Sequence, residues 1–174
     1  MSKTSCVILN YNDAPTALKL VERIISYSCL DDIILVDNHS TDDSYEQLKR
    51  WEGGRVHLLL AEKNGGYGSG NNIGIRYALE ELESDYIVIA NPDVVFSQQC
   101  VYDMKNTLEN RPEYAMVSAM VKGTDGNTMF SCWKLLPMFG DLLDTGLVTR
   151  RLFKRFLGYG PSHYRKRPFV EADA

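Results

Sequence analysis

The chain has 174 residues, of which 44% are apolar and 24% are charged. These values are typical of one soluble globular domain, and they exclude a disordered chain, a collagen-like repeat and a coiled coil. The net charge of −4 is unevenly spread, because residues 1–149 carry 12 Lys and Arg against 21 Asp and Glu, whereas residues 150–174 carry 7 against 2. The acidic body argues against nucleic acid as a partner, and the basic end suggests an anionic one.

Neither a membrane span nor a secretory leader is predicted. No apolar run approaches the roughly 18 residues that a spanning helix needs, and no basic-then-apolar segment opens the chain. The four cysteines form no C-x-x-C pair, which argues against a disulfide framework or a zinc site. We therefore expect a cytoplasmic protein.

Apolar strand patterns alternate with amphipathic helical patterns along most of the chain. Strands are predicted over 4–9, 32–36, 55–60, 85–90, 115–121 and 127–133. Helices are predicted after an N-cap at Asp13, from a capping box at Ser40 and Asp43 to about Trp51, over the stretch marked by Ile73, Tyr77, Ala78 and Leu82, from a cap at Ser97 to about Glu109, and over 139–157. This alternation predicts an α/β fold with a mostly parallel central sheet.

Polar residues follow each of the first four predicted strands. The carboxyl ends of parallel strands share one edge, and ligands of open α/β sheets bind in the crevice there. We call this edge the carboxyl edge. The polar segments that follow the strands are 10–13, 37–40, 62–72 and 91–93. Ordinary turn chemistry is the alternative explanation, since Asn, Asp and Gly are common loop residues.

Two of these segments carry specific chemistry. Asp37 ends a buried strand, where a carboxylate can accept hydrogen bonds from a ribose or a base, or can instead brace the next helix. Asn91-Pro92-Asp93 is expected to be extended before the proline, which would turn Asn91 and Asp93 toward one site. A carboxylate there suits Mg²⁺ or Mn²⁺ held together with substrate phosphates. The alternative is that this tripeptide simply opens a turn.

A dense glycine cluster precedes the third helix. Glycine lets backbone approach a ligand closely, and the helix that follows offers free N–H groups to an anion such as diphosphate. The glycines are Gly65, Gly66, Gly68, Gly70 and Gly74. A nicotinamide-dependent oxidoreductase or a nucleotidyltransferase would instead need glycines after the first strand, and none is present there.

Four motifs in this order resemble inverting glycosyltransferases of family 2, and are most similar to rhamnosyltransferase-like members. The motifs are 7–12, 36–42, 64–74 and 90–94. The resemblance implies the GT-A fold, with helices on both faces of a mostly parallel sheet. It also implies a single domain over 1–174, with a nucleotide-sugar-binding half over 1–121 and the start of an acceptor half over 122–174.

The resemblance implies roles at the matching positions only. Asp37 resembles the acid that contacts the nucleoside, and Asn10 and Asn12 would line the same pocket. Asp93 matches the second, metal-binding acid of a D-x-D motif, in which Asn91 replaces the first acid. The glycine loop, through Gly66 and Gly68, and the donors Asn71 and Asn72 would face the nucleotide sugar.

The reaction implied is transfer of a sugar, with inversion, from dTDP-rhamnose or a UDP-sugar to a glycan or lipid-linked acceptor in polysaccharide or O-antigen synthesis. The family's general base would lie beyond Ala174, so this chain is expected to be a C-terminally truncated fragment that binds nucleotide without transferring sugar. A non-catalytic sugar-nucleotide-binding module is the alternative. The basic amphipathic segment 147–157 suggests either peripheral contact with the inner face of a membrane or a solvated helix face.

Overall fold

The computed structural model describes residues 2–123 and 128–129. The chain divides into two compact units, one ending at Ser118 and the other beginning at Ala119. The first unit contains four strands and four helices, and the described part of the second unit contains a short antiparallel pair of strands. The predicted helix over 139–157 lies outside the described residues.

The elements of the first unit alternate strictly between strand and helix. In chain order they are β1 (Thr4–Asn10), α1 (Ala14–Ile24), β2 (Asp32–Asp37), α2 (Ser44–Lys49), β3 (Val56–Leu60), α3 (Tyr67–Glu80), β4 (Tyr86–Ala90) and α4 (Gln98–Asn110). The four predicted strands agree with these bounds to within one residue. The second unit contributes β5 (Val121–Lys122) and β6 (Thr128–Met129).

The four strands form one parallel sheet in the order β3-β2-β1-β4. Alternate side chains of a strand point to opposite faces, and both faces of this sheet are covered by helices. On one face, Cys6, Ile8, Ile33 and Leu35 pack with buried residues of α1, α2 and α4. On the other face, Val7, Ile34 and Val36 pack against Ala78 of α3. The predicted α/β architecture is therefore confirmed.

Two helix starts follow the sequence prediction closely. The Asp13 carboxylate accepts a hydrogen bond from the Thr16 backbone N–H at the start of α1. The Ser97 hydroxyl accepts one from the Cys100 N–H at the start of α4. Each satisfies one of the N–H groups that have no partner in the first turn of a helix.

Three element boundaries differ from the prediction. Helix α2 begins only at Ser44, and Ser40 does not cap it, because the Ser40 hydroxyl donates to the Asp37 carboxylate instead. Helix α3 begins at Tyr67, inside the glycine cluster. Most of the strand predicted over 115–121 has no regular secondary structure, and β5 begins at its last residue, Val121.

A polar network connects residues at the amino ends of the strands, which is the end of the sheet opposite the carboxyl edge. The Asp32 carboxylate forms 2.9 Å contacts with the Lys3 Nζ and the His57 Nε2, and the Tyr77 hydroxyl lies 3.2 Å from the His57 Nδ1. Burial alone would raise the pKa of Asp32, but hydrogen bonds from His57 and Lys3 outweigh it and hold the pKa below its ordinary value. The network links β2 and β3 to α3.

Among the described residues, no helix is both long and apolar enough to cross a bilayer.

Candidate functional site

The sheet topology brings three of the predicted polar segments to the carboxyl edge, with the start of α3 beside them. Asn10 and Asp37 are register partners on β1 and β2, and Ile8 of β1 is the register partner of Ala90 on β4. Neighbouring strands lie about 4.8 Å apart. The exits of β2 and β4 are therefore separated by one intervening strand and lie on the same side of the molecule.

Asp37 is fully buried at the end of β2, and its carboxylate accepts three hydrogen bonds. Its Oδ1 accepts from the Asn10 Nδ2 at 2.9 Å and from the Ser40 hydroxyl at 2.6 Å. Its Oδ2 accepts from the Ser40 backbone N–H at 2.9 Å. The acid thus holds the β1 exit and the β2 exit together, whereas the alternative considered for it was to brace the next helix.

The predicted contact between Asp37 and a nucleoside is not available in this conformation. Both the Asp37 carboxylate and the Asn10 side chain are at most 1% exposed. In this conformation the hydrogen bonds of Asp37 fix the positions of the residues around it. Its contact with a nucleoside stays a prediction.

Asn12 holds the same corner from the β1 side. Its Oδ1 accepts a 2.8 Å hydrogen bond from the Thr41 N–H, and its backbone N–H donates to the Ser40 hydroxyl at 2.9 Å. Asn12 has a φ of 55°, in the left-handed region that Asn tolerates better than most residues. Asn12 is exposed, so it is available to a ligand in a way that Asn10 is not.

The residue after Asp37 makes a second connection, which the sequence analysis missed. Asn38 faces the α3 side of the sheet, and its Nδ2 donates to the Asn64 Oδ1 at 3.0 Å and to the Gly66 carbonyl at 3.4 Å. The Asn64 Oδ1 also accepts from the Gly66 N–H at 3.0 Å. The sequence could have indicated this contact, because Asn38 directly follows Asp37 and adjacent strand residues face opposite sides of the sheet.

The glycines divide into two groups with different roles. Gly70 and Gly74 face the sheet, where a Cβ on Gly70 would collide with Leu9 and a Cβ on Gly74 would lie 2.5 Å from the Val7 Cγ1. Gly66 has a φ of 84° at the N-cap, and a Cβ on Gly68 would have no heavy atom within 4 Å. Gly66 and Gly68 are therefore the glycines that leave the start of α3 open to a ligand.

Asn71 and Asn72 do not point the same way. Asn71 is 4% exposed, and its Nδ2 donates to the Tyr67 carbonyl at 3.0 Å. Asn72 is exposed. Successive helical residues are rotated by about 100°, so Asn72 faces solvent whereas Asn71 is buried. That both donate to a ligand stays a prediction.

Asn91-Pro92-Asp93 opens a turn, which was the alternative considered for this tripeptide. The Val94 N–H donates to the Asn91 carbonyl at 3.2 Å, which places Pro92 and Asp93 at the two central positions. Proline at the first central position is favoured because its φ is already suitable. Asn91 and Asp93 are both exposed on this turn.

One hydrogen bond connects this turn to α3. The Tyr67 hydroxyl donates to the Asn91 Oδ1 at 2.8 Å. The tyrosine was noted in the sequence only as part of the glycine motif, and no local pattern signals a contact between residues 24 positions apart.

Asp93 is the group best suited to hold a metal at this edge. Its carboxylate makes no hydrogen bond or ion pair with the described residues, among which no cluster of three or more His, Cys, Asp or Glu could form a metal cage. One or two carboxylates plus substrate phosphates are the usual ligands of Mg²⁺. The residues present therefore fit a metal that shares its coordination with a bound diphosphate.

Comparison with known proteins assigns the fold and the family. A hexosyltransferase, "Low-salt glycan biosynthesis hexosyltransferase Agl10" from Haloferax volcanii, is 28% identical over 144 residues, covering 76% of this chain and 44% of that protein. This chain therefore spans less than half the length of that curated relative.

Solved structures of S. aureus TarS are similar in fold. TarS 1-349 has a TM-score of 0.58 at 15% identity over 91% of this chain and 50% of its own. Its complex with UDP-GlcNAc has a TM-score of 0.51 at 18% identity over 63% of this chain and 32% of its own. These neighbours agree with the GT-A-like α/β fold that was expected. The family model for glycosyl transferase family 2 matches residues 5–165, and the chain belongs to that family.

Proposed function

We propose that this chain binds the nucleoside-diphosphate sugar of a glycosyltransferase reaction at its carboxyl edge. The observation that carries the proposal is the meeting of the β1, β2 and β4 exits beside the open start of α3. The family match and the UDP-GlcNAc complex of a similar fold support a nucleoside diphosphate as the ligand.

Different residues of the carboxyl edge bind different parts of the nucleotide-sugar donor. The start of α3, opened by Gly66 and Gly68, offers backbone N–H groups and the positive end of the helix dipole to the diphosphate. Exposed Asn12 and Asn72 offer amide groups to the polar parts of the nucleotide sugar. Buried Asp37 and Asn10 keep the loops that carry these groups in register.

The reaction proposed for the whole protein is a single displacement at the anomeric carbon that inverts its configuration. The acceptor hydroxyl forms the new glycosidic bond while its proton passes to a general base, and the bond to the nucleoside diphosphate breaks. The start of α3 stabilises the charge that develops on the leaving diphosphate. A divalent metal, Mg²⁺ or Mn²⁺ beside Asp93, would supply further neutralisation of that charge when bound.

The donor and acceptor are narrower proposals. A hexose carried by UDP is supported by the hexosyltransferase relative and by the UDP-GlcNAc complex, and dTDP-rhamnose is the donor implied by the motifs. The acceptor is a glycan or a lipid-linked glycan. We also propose that segment 147–157 contacts an anionic membrane at its inner face, because basic and apolar residues interleave there. In a flotation experiment with anionic vesicles, the chain should rise together with the vesicles. A chain that does not rise with them would contradict the membrane contact.

Calorimetry tests donor binding directly. UDP and dTDP are titrated into the chain with EDTA and with Mn²⁺, and at least one nucleotide is expected to bind more tightly with the metal. Asp93→Ala should remove the enhancement by Mn²⁺ while leaving the thermal midpoint unchanged, because Asp93 is exposed and makes no hydrogen bond or ion pair within the described residues. Absence of binding by both nucleotides under either condition would overturn the proposal.

A further inference from the structure

The hydrogen bond between Tyr67 and Asn91 determines which end of the Asn91 amide is free. Asn91 stands where a D-x-D motif would have its first acid, and its Oδ1 already accepts from the Tyr67 hydroxyl at 2.8 Å. A primary amide is planar, with its oxygen and nitrogen on opposite sides. Fixing the oxygen against Tyr67 therefore turns the Nδ2 group away from the tyrosine.

The free end of Asn91 is a hydrogen-bond donor on an exposed turn. The Nδ2 group makes no hydrogen bond within the described residues, and Asn91 is exposed at the carboxyl edge. An amide nitrogen carries two N–H donors and has no affinity for a metal cation, whereas the oxygen that could bind a cation already accepts a hydrogen bond from Tyr67. The side chain is thus suited to an anion.

We propose that Asn91 binds the diphosphate directly through its Nδ2–H groups, and that Tyr67 is the positioning residue that keeps the amide in this orientation. The inference rests on the proposed function, since it names how one residue meets the donor. It divides the motif into two roles: Asn91 contacts a phosphate oxygen without a metal, and the Asp93 carboxylate reaches the phosphate only through a cation.

A change of charge at position 91 should therefore exchange one mode of binding for the other. In Asn91→Asp the N–H donors are lost and a carboxylate faces the phosphate, so like charges repel when no cation is present. With a cation present, two acids can share it, which is the arrangement that Mg²⁺ commonly takes in phosphate sites. Metal-free binding should weaken, and the dependence on metal should grow.

The experiment measures UDP and dTDP binding by calorimetry, in EDTA and in Mn²⁺. We expect Asn91→Asp to weaken metal-free binding about tenfold, as for the loss of a hydrogen bond to a charged group, and to increase the ratio of metal-bound to metal-free affinity by at least that factor. Tyr67→Phe should weaken binding about threefold in both conditions. Tyr102→Phe is the matched control, because it removes the hydroxyl of a tyrosine on α4, which lies 3.2 Å from the Ser28 hydroxyl in the turn after α1, and it should change neither affinity.

A double-mutant cycle separates positioning from general structural damage. If Tyr67 acts only through the amide, Tyr67→Phe should have no further effect when Asn91 is already Ala. A full effect of Tyr67→Phe in the Asn91→Ala background, or metal-free binding by Asn91→Asp as tight as by the unaltered chain, would overturn the inference. Failure of the unaltered chain to bind either nucleotide would instead overturn the proposed function. Both side chains are exposed, and unchanged thermal midpoints will confirm that the variants fold.

Discussion

Two aspartates at one edge of the sheet differ in what surrounds them. Asp37 is fully buried and accepts three hydrogen bonds, whereas Asp93 is exposed and makes none within the described residues. A buried acceptor that loses its donors, or a buried donor that loses its acceptor, costs far more than an exposed group. The same substitution should therefore destabilise the fold strongly at Asp37 and hardly at all at Asp93.

Asp37→Asn should destabilise the fold by about 2–3 kcal/mol. The amide has one oxygen, so its NH₂ group would face either the Ser40 backbone N–H or both the Asn10 Nδ2 and the Ser40 hydroxyl, and at least one hydrogen bond would become a repulsive donor–donor contact. Urea unfolding followed by circular dichroism measures the loss. Asp93→Asn is the matched control and should stay within about 0.5 kcal/mol of the unaltered chain. Equal stabilities of the two variants would contradict the bracing role of Asp37.

At the scale of elements, the contact between α3 and the sheet depends on the absence of two side chains. A Cβ on Gly74 would lie 2.5 Å from the Val7 Cγ1 and 3.0 Å from the Val36 Cγ2, and both valines are fully buried in central strands. Because a β-branched side chain has little rotamer freedom, neither valine can move aside. The helix itself would have to shift.

Gly74→Ala should therefore lower the free energy of unfolding by about 1–3 kcal/mol, the usual cost of overfilling a core. Gly68→Ala is the control on the same helix, since a Cβ there meets nothing within 4 Å. Alanine is the better helix former, so Gly68→Ala should leave stability unchanged or raise it by up to about 1 kcal/mol. Urea unfolding of both variants tests this, and a stable Gly74→Ala protein would show that α3 can move away from the sheet.

The glycines also explain what the sequence could and could not predict about α3. Local propensity favours a loop wherever glycine is frequent, so the helix was expected only near Ile73, although it begins at Tyr67. Gly70 and Gly74 are required by the close approach of Leu9 and Val7, about sixty residues earlier in the chain. No local pattern contains that information.

Secondary structure could be predicted where apolar and polar residues alternate with a simple period. The first four strands and the caps at Asp13 and Ser97 depend on near neighbours, and their positions were predicted correctly. Ser40 has the spacing of a cap, but its hydroxyl and its backbone N–H both donate to the carboxylate of the buried Asp37 instead. The sequence therefore placed these residues at one edge of the sheet but could not assign the side-chain partners among them.

At the scale of the whole first unit, the network around Asp32 should make the free energy of unfolding depend on pH in the acid range. Lys3 and His57 hold the pKa of Asp32 below its ordinary value of 3.8. A carboxyl whose pKa is lower in the folded state stabilises the fold above its unfolded pKa, and this contribution is lost as the pH falls through the folded pKa. The contribution should therefore be complete at neutral pH and should decline below about pH 4.

Asp32→Asn should make the acid limb of the stability curve shallower. The measurement is the urea midpoint from pH 7 down to pH 3 for the variant and the unaltered chain, whose difference should be largest at neutral pH and should shrink toward pH 3. Asp85→Asn is a suitable control at the same end of the sheet, because its carboxylate accepts from the Lys3 backbone N–H. A constant difference at every pH would show that the charge of Asp32 does not contribute.

The buried core described for the first unit lies within that unit. The two buried apolar clusters draw all their fully buried members from residues between Cys6 and Val101, within the described part of the chain. The predicted ligand residues, from Asn10 to Asp93, lie in the same span. A chain of this length can bury enough apolar surface to fold alone.

A chain of residues 2–118 should therefore unfold in one cooperative transition and bind the same nucleotide as the full chain. The two transitions are compared by urea unfolding and the two affinities by calorimetry, with Asp37→Asn in the short chain as the destabilised control. Since both clusters are retained, we expect the nucleotide affinity to stay within about threefold of the full chain, a difference of less than 1 kcal/mol. A short chain without a cooperative transition would show that the sheet needs residues after Ser118 to form.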